Sequence, residues 1–572
     1  MRLLVASPPA DFSAVNAAAI ADLHVRQASY LPGKLRTSGA KASEPVLERL
    51  DIASVGTIAI KTVLRLVQRS GKWFVAWSPA TIAPQLRPGG RLSLDVIWPP
   101  RAAILGAGGV PLTTQAPMVT IGVEGRRVKH AAALTTALVA AGANSQQASK
   151  ALTAAKAEPT WFEPVFTVTL ARYQRLKSAL YPLPGTVFQT TTTRTAVTPG
   201  LAAHLVGTVG PITATQLHSL GAPYDAQSIV GQTGLEQADE RQLAGLPGAN
   251  VTVLSAKGTP VATLATLSPR PGTPVRTTID PSVQRAAEAA LAGEKKSAAL
   301  VAVDAATGAV LASVSVPAAG GFDQALDGAF PPGSSFKVIT SAALIDHGLS
   351  PSSAANCPPA ITVDGEVFHN AEGEHQVSDL LHAFAESCNT AFIALATRHL
   401  TAAVFPSTAW VFGVGRTLRM GLPAFGGSVP RPTDAADLAA TAIGQGRVVV
   451  SPLAMAIVAA AIDTGIVHSP RLVVGAPDDQ APTGHLPSTV VTGLHEMMAL
   501  VVASGTAAGT GLPAGTFAKT GTAQYGSGHP LPTDAWLIGF RGDIAFAMVV
   551  VDGGEGGPTD GPLVARFLDR LR

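Results

Sequence analysis

The stretch AMAIVAAAIDTGIV, residues 454–467, is the chain's nearest approach to a membrane span, and it sets the first constraint on the fold. A spanning helix needs about 20 predominantly apolar residues. This run is shorter and carries Asp463, so it predicts a helix buried inside a folded domain. The composition agrees: 47% of residues are hydrophobic and mean hydropathy is +0.30, yet no stretch approaches 18 uninterrupted apolar positions. Apolar residues spread in this way must be buried in globular cores, and 572 residues suffice for two to four of them. Net charge is +3 with 14% charged residues and no basic stripe, which excludes a nucleic-acid-binding surface.

The first residues, MRLLVASPPADF, hold one basic residue and a very short apolar run before two prolines, a poor match to a secretory signal. Two readings stay open here: a cytoplasmic protein, or a targeting segment upstream of this sequence.

Along the chain, ADFSAVNAAAIADLHVRQAS has a helical pattern, and VGTIAIKTVLRLVQRSGKWFVAWSP predicts two strands joined by the turn 69–72. Residues 144–161 predict a helix ending near Pro159, and the Thr-rich 189–200 an exposed strand or loop. At 268–296 a Pro/Gly-rich linker leads to a helix capped by Asp280 with Pro281 in its first position. KSAALVAVDAATGAVLASVSVP then reads as a hairpin that opens a large domain.

Three short motifs carry the chemistry. In PPGSSFKVIT, Ser334 and Lys337 stand three apart at a predicted helix start, so the amine can reach the hydroxyl. A serine hydroxyl needs such a base to become a nucleophile, and the positive end of the helix dipole disfavours an ammonium there. Alone the pattern is weak: Ser38 and Lys41 repeat it in a stretch with no other chemical signature. Ser387-Cys388-Asn389 follows 53 positions after Ser334, and Lys519-Thr520-Gly521-Thr522 a further 132 positions on from Ser387. Their order, S-x-x-K, S-x-N, K-T-G, turns three ornaments into a set. Competing signatures fail: His495-Glu496 begins like a zinc-protease helix but lacks the second histidine, and the thirteen histidines do not cluster at ligand spacing.

The set resembles that of penicillin-recognising active-site serine proteins. TTIDPSVQRAAEAAL, VAVDAATGAVLASVSVP, AIGQGRVVVSPLAMA and DAWLIGF resemble the transpeptidase domain of class B penicillin-binding proteins. VGQTGLEQADERQLAGLPG is similar to their non-catalytic pedestal, and GKWFVAWSPATIAPQL to the NTF2-like domain of the methicillin-resistance type. RAAILGAGGVPL departs from the usual opening of the pedestal, keeping Arg101, Ile104 and Gly109 without an Asp-Arg pair.

The resemblance implies an α+β multidomain chain: an NTF2-like domain over 1–97, a pedestal of the dimerisation type over 98–267, and a transpeptidase domain over 268–572 with an antiparallel sheet flanked by helices. It implies a peptidoglycan D,D-transpeptidase that needs no metal or cofactor and also binds β-lactams. Ser334 is then the nucleophile, Lys337 the general base and Ser387 a proton relay. Asn389, Lys519, Thr520, Gly521 and Thr522 bind substrate, and the backbone N–H groups of Ser334 and Thr522 form an oxyanion hole. Gly521 is expected to leave room for the ligand against the backbone. A D,D-carboxypeptidase, a β-lactamase and a non-catalytic scaffold or β-lactam sensor are the alternatives. Expected partners are peptidoglycan stem peptides and a cell-wall glycosyltransferase. The implied location is the extracytoplasmic face of the cytoplasmic membrane, with an anchor not present in this sequence. Cys357 and Cys388, 31 positions apart, are either two buried thiols or, in that oxidising compartment, a disulfide bracing the Ser387 loop.

Overall fold

The computed structural model describes residues 4–571 except 54, 199, 318–321, 371–376, 477–483 and 528–529. The chain forms two compact units, one of residues 1–107 with 204–572 and one of residues 108–203. Among the described residues no helix is long and apolar enough to cross a membrane.

The larger unit holds a five-stranded antiparallel sheet built from β1 (Ala298–Asp304), β2 (Val310–Val316), β3 (Phe517–Gln524), β4 (Thr533–Arg541) and β5 (Ile544–Val550), in the order β2-β1-β5-β4-β3. The predicted hairpin is β1–β2. Its neighbour β5, IAFAMVV, is apolar throughout and almost wholly buried, as a central strand covered on both faces must be. One face packs against α1 (Pro281–Leu291) and the C-terminal helix Gly556–Asp569, through Val283, Ala287, Phe546, Met548, Val564 and Phe567. Asp280 caps α1 as expected, accepting from the Ser282 and Val283 amides.

The apolar run 454–467 begins in the helix Pro452–Thr464, whose residues from Pro452 to Ile462 are all buried, and ends past its Gly465 C-cap on the short strand Ile466–Val467. A helix apolar on every side is stable only inside a core. The His495 stretch is the amphipathic helix Ser488–Ala503, and the His495 Nε2 atom sits 2.9 Å from the Ile462 carbonyl oxygen.

In the N-terminal part of this unit, the strands Val25–Pro32, Lys41–Ile52, Gly56–Arg69 and Lys72–Val75 form an antiparallel sheet beside the helix Phe12–Asp22. The strand Arg91–Ile97 pairs with Gly248–Leu254, which pairs in turn with Pro260–Leu267. Leu92, Val251 and Val253 share a core with Leu50, Ile52, Ile58 and Ile60 of the N-terminal sheet.

Arg101, in the stretch RAAILGAGGVPL, has a structural role. Its guanidinium bonds Glu236 Oε2 at 2.5 Å, the Glu236 carbonyl at 2.7 Å and Glu240 Oε2 at 2.8 Å. The Tyr224 hydroxyl and the Gly231 amide donate to Glu240. A buried carboxylate is tolerated when its lone pairs are filled in this way, so Arg101 ties the VGQTGLEQADE segment into the fold.

The smaller unit is a three-stranded antiparallel sheet in the order Thr186–Ala196, Thr113–Glu124, Phe162–Thr169, packed against helices through Val119, Ile121, Leu134, Leu138 and Ala148. Asn144 caps the helix Ser145–Ala157, and the Thr-rich segment is the edge strand Thr186–Ala196.

Candidate active site

The site grows from the turn that precedes α2 (Lys337–Asp346). Pro331 and Pro332 resist helix, and Gly333 adopts φ +52°, a left-handed conformation that favours glycine. Residues Gly333–Phe336 make one 3₁₀ turn that feeds α2, and Ser335 closes it by donating from Oγ to the Pro332 carbonyl at 2.7 Å. The turn is pinned from outside by the Gly333 amide on Gly444 O at 2.9 Å and by Trp536 Nε1 on Pro331 O at 3.0 Å. Ser334 is left half-buried, while Lys337 is completely buried.

Lys337 Nζ lies 2.9 Å from Ser334 Oγ, 2.6 Å from the Ser387 carbonyl, 2.7 Å from Asn389 Oδ1 and 3.4 Å from Ser387 Oγ. Ser387 presents that carbonyl from a left-handed backbone, φ +58°, immediately before the helix Asn389–His399. Cys388, not Ser387, is the N-cap of that helix, its sulfur accepting from the Ala391 amide. The structure joins Cys388 to Cys357 in a disulfide. Asn370 and Thr390 both donate to Pro358 O, so the S-x-N loop is held to the Cys357 segment by more than the sulfur bridge.

The K-T-G residues lie on β3, the edge of the sheet. Lys519 is fully buried, and its Nζ donates to Ser387 Oγ and to the Thr520 carbonyl, each at 2.9 Å. Ser387 thus stands between two lysine amines. Thr520 is buried with its hydroxyl 2.5 Å from that of Thr506, and Thr522 is half-buried. A Cβ at Gly333 would meet Thr522 O at 2.6 Å, which measures how closely β3 approaches the Ser334 turn.

Gly521 also has a packing role. The space it leaves is taken by the protein itself: a Cβ there would meet Pro332 O at 2.9 Å, Trp536 Cβ at 2.9 Å and Ser335 N at 3.0 Å. A glycine at this position lets β3 dock on the turn.

Several neighbours escaped motif reading. With its amide oriented to satisfy both contacts, Gln445 donates to Gln524 O at 3.0 Å and accepts from Gln524 N at 3.1 Å, which anchors the end of β3. The Phe392 and Phe384 rings lie 5.3 and 5.5 Å from Lys337 Nζ and Lys519 Nζ. The segments AIGQGR and DAWLIGF hold Gln445 and Trp536, but side-chain roles within them have no local signature. Opposite Ala523 on β3, Asp534 is buried and its carboxyl is pushed up to about 6, mainly by desolvation, against the bond it accepts from the Asp552 amide at 3.1 Å.

A serine at a helix start, with a buried lysine in reach and a K-T-G edge strand alongside, defines the class of penicillin-recognising serine enzymes. Comparison with known proteins narrows it. Residues 298–569 match the penicillin binding protein transpeptidase domain, and residues 96–277 the penicillin-binding protein dimerisation domain. The chain is 32% identical over 382 residues to the peptidoglycan D,D-transpeptidase PbpA of Mycolicibacterium smegmatis, covering 56% of this chain and 75% of that protein. It is 26% identical to the peptidoglycan D,D-transpeptidase MrdA of Acinetobacter baumannii, covering 76% of this chain and 73% of that one. Among solved structures, the Helicobacter pylori penicillin-binding protein PBP2, determined in complex with MreC, shares the fold: the TM-score is 0.63 at 22% identity, over 84% of this chain and 99% of the other. The chain belongs to the class B penicillin-binding proteins. It is a peptidoglycan D,D-transpeptidase.

Proposed function

We propose that Ser334 is the nucleophile and Lys337 its general base. The observation that carries this reading is the 2.9 Å separation of Lys337 Nζ from Ser334 Oγ, with Nζ also bonded to two oxygens that can only accept, Ser387 O and Asn389 Oδ1. A neutral amine has two hydrogens for those carbonyls and one lone pair for the Ser334 proton. Removal of the amine from water disfavours its ammonium form.

Ser334 Oγ attacks the carbonyl of the penultimate D-alanine of a stem peptide as its proton passes to Lys337. The oxyanion is received by the N–H groups of Ser334 and Thr522, on the two elements that Gly333 and Gly521 bring together. Collapse breaks the amide bond and releases D-alanine, its nitrogen protonated through Ser387, which is linked to both lysines. Lys519, Thr520 and Thr522 attract the substrate carboxylate, and Asn389 orients Lys337 and the substrate amide. An amine of a second stem peptide then takes the acyl group and regenerates Ser334. A β-lactam enters by the same first step.

Residues 1–97, 98–267 and 268–572 are proposed as an NTF2-like domain, a pedestal and the transpeptidase domain. By analogy with a solved peptidoglycan synthase complex that coordinates polymerisation and crosslinking, a glycosyltransferase is the proposed partner. The proposed workplace is the extracytoplasmic face of the cytoplasmic membrane, where the substrate is.

The test is intact mass after incubation with benzylpenicillin. One stable adduct on the native chain and none on Ser334→Ala is the expected result. An adduct on both would displace Ser334, and rapid return to the free mass with drug consumed would make the enzyme a β-lactamase.

A further inference from the structure

A cavity of about 850 Å³ lies in the N-terminal part of the chain, between the helix Phe12–Asp22 and the sheet of Val25–Pro32, Lys41–Ile52 and Gly56–Arg69. Its volume falls in the range of small-molecule sites, about 300–1,000 Å³. Neither matched family reaches this region, since the earlier of the two begins at residue 96. The wall is mostly apolar, with Leu23, Val46, Leu50 and Ile60 among its residues. Ile20 and Tyr30, both well exposed, also line it, so the cavity opens to solvent.

One group is out of place in that wall. Glu48 is only 8% exposed, and alternation along its strand puts it on the same side as Val46 and Leu50. Its directly paired neighbours are Tyr30 on one side and Ile60 on the other. Among the described residues its carboxyl has no hydrogen-bond partner. The other charged or titratable groups lining the cavity are Glu44 on the same strand, with Arg26 and Tyr30 on the neighbouring strand. The helix contributes only neutral side chains, such as Ser13 and Asn16, and the strand Gly56–Arg69 contributes Ile60, Thr62 and Leu64. Desolvation pushes the Glu48 carboxyl up to about 7.

A buried carboxylate without a partner is costly, and a cation seated against it recovers that cost. A fold indifferent to this position would fill it with an apolar side chain. We infer that this cavity binds an apolar small molecule carrying one protonated amine, with Glu48 as the group that recognises the amine. An amine paired there holds Glu48 ionised, so at pH 7 binding displaces about half a proton per ligand.

Titration calorimetry on the full chain with decylamine, decanol and decanoate, the ionic probes below their micelle concentrations and decanol below its solubility limit, tests this. Decylamine is expected to bind at least about 10-fold tighter than decanol, equivalent to about 1.4 kcal/mol. Its heat should vary with buffer ionisation enthalpy in proportion to the released proton. Glu48→Gln should erase both the amine preference and the proton release while leaving decanol binding in place. Ala19→Phe, which fills the cavity from the helix side, should abolish binding of amine and alcohol alike without changing β-lactam acylation. If Glu48→Gln does not fold, the proton release and the Ala19→Phe result still decide the matter. Equal binding of the three probes without proton release would overturn the assignment, as would no binding at all.

Discussion

Replacing Gly521 by alanine probes whether the edge strand must sit hard against the turn that carries Ser334, the proposed nucleophile. An added Cβ would lie 2.9 Å from Pro332 O and 3.0 Å from Ser335 N, both part of the turn, and 2.9 Å from Trp536 Cβ on the adjacent strand. Ordinary non-bonded contacts lie at about 3.5–4.0 Å, so β3 and the turn must separate by about 0.5 Å or more. The proposed oxyanion donors are on opposite sides of that gap, Ser334 N–H on the turn and Thr522 N–H on the strand. Catalytic groups hold their function within about 0.5 Å, so this displacement disables one donor. Loss of one oxyanion donor costs about 10²–10³ in rate, or about 2.7–4 kcal/mol of transition-state stabilisation. The assay is the second-order rate constant of acylation by benzylpenicillin, with thermal melting run alongside to show that the variant is folded. Acylation is expected to survive at a rate reduced by that factor, because Ser334 N–H and Lys337 remain. A folded Gly521→Ala protein that acylates within about threefold of the native rate would refute this geometry.

Two further outcomes are expected. Asp534 has a carboxyl raised to about 6, so the folded chain holds its proton more tightly than the unfolded chain does. The stability from that proton is complete below about pH 4 and is lost as pH rises through about 6. Asp534→Asn should therefore gain on the native protein by about 3 kcal/mol between pH 4 and pH 8, measured by denaturant unfolding across that window; a pH-independent difference would show that the group does not titrate there. The disulfide closes a loop across a sequence separation of 31, and its removal in Cys357→Ser/Cys388→Ser should cost about 3–4 kcal/mol by chain entropy. It should also slow acylation, because Cys388 adjoins both Ser387 and Asn389; unchanged stability would mean that the Asn370 and Thr390 bonds hold the loop alone.

How much of this could be read from the chain depends on how local the physics is. The buried helix at Pro452–Thr464, the capped helix behind Asp280 and the β1–β2 hairpin follow from periodicity, capping and turn chemistry, which act over a few residues. The S-x-x-K pairing was legible for the same reason, since three residues of helical turn bring Lys337 to Ser334. Ser387 carried only half its meaning in sequence. That it stands between two lysines depends on a left-handed backbone and on β3, which is 132 residues away. Gly521 shows the limit clearly. A side chain there would meet Pro332, Ser335 and Trp536, and nothing near residue 521 in sequence says so. Gln445, Trp536 and Glu48 belong to the same class: each acts through a partner or a cavity assembled by distant segments. Local backbone preferences and motif order settled the class of enzyme and named its proposed reacting groups. Only tertiary packing decided the distances between those groups, because side chains from separate elements meet only when the sheet and helices close around one core.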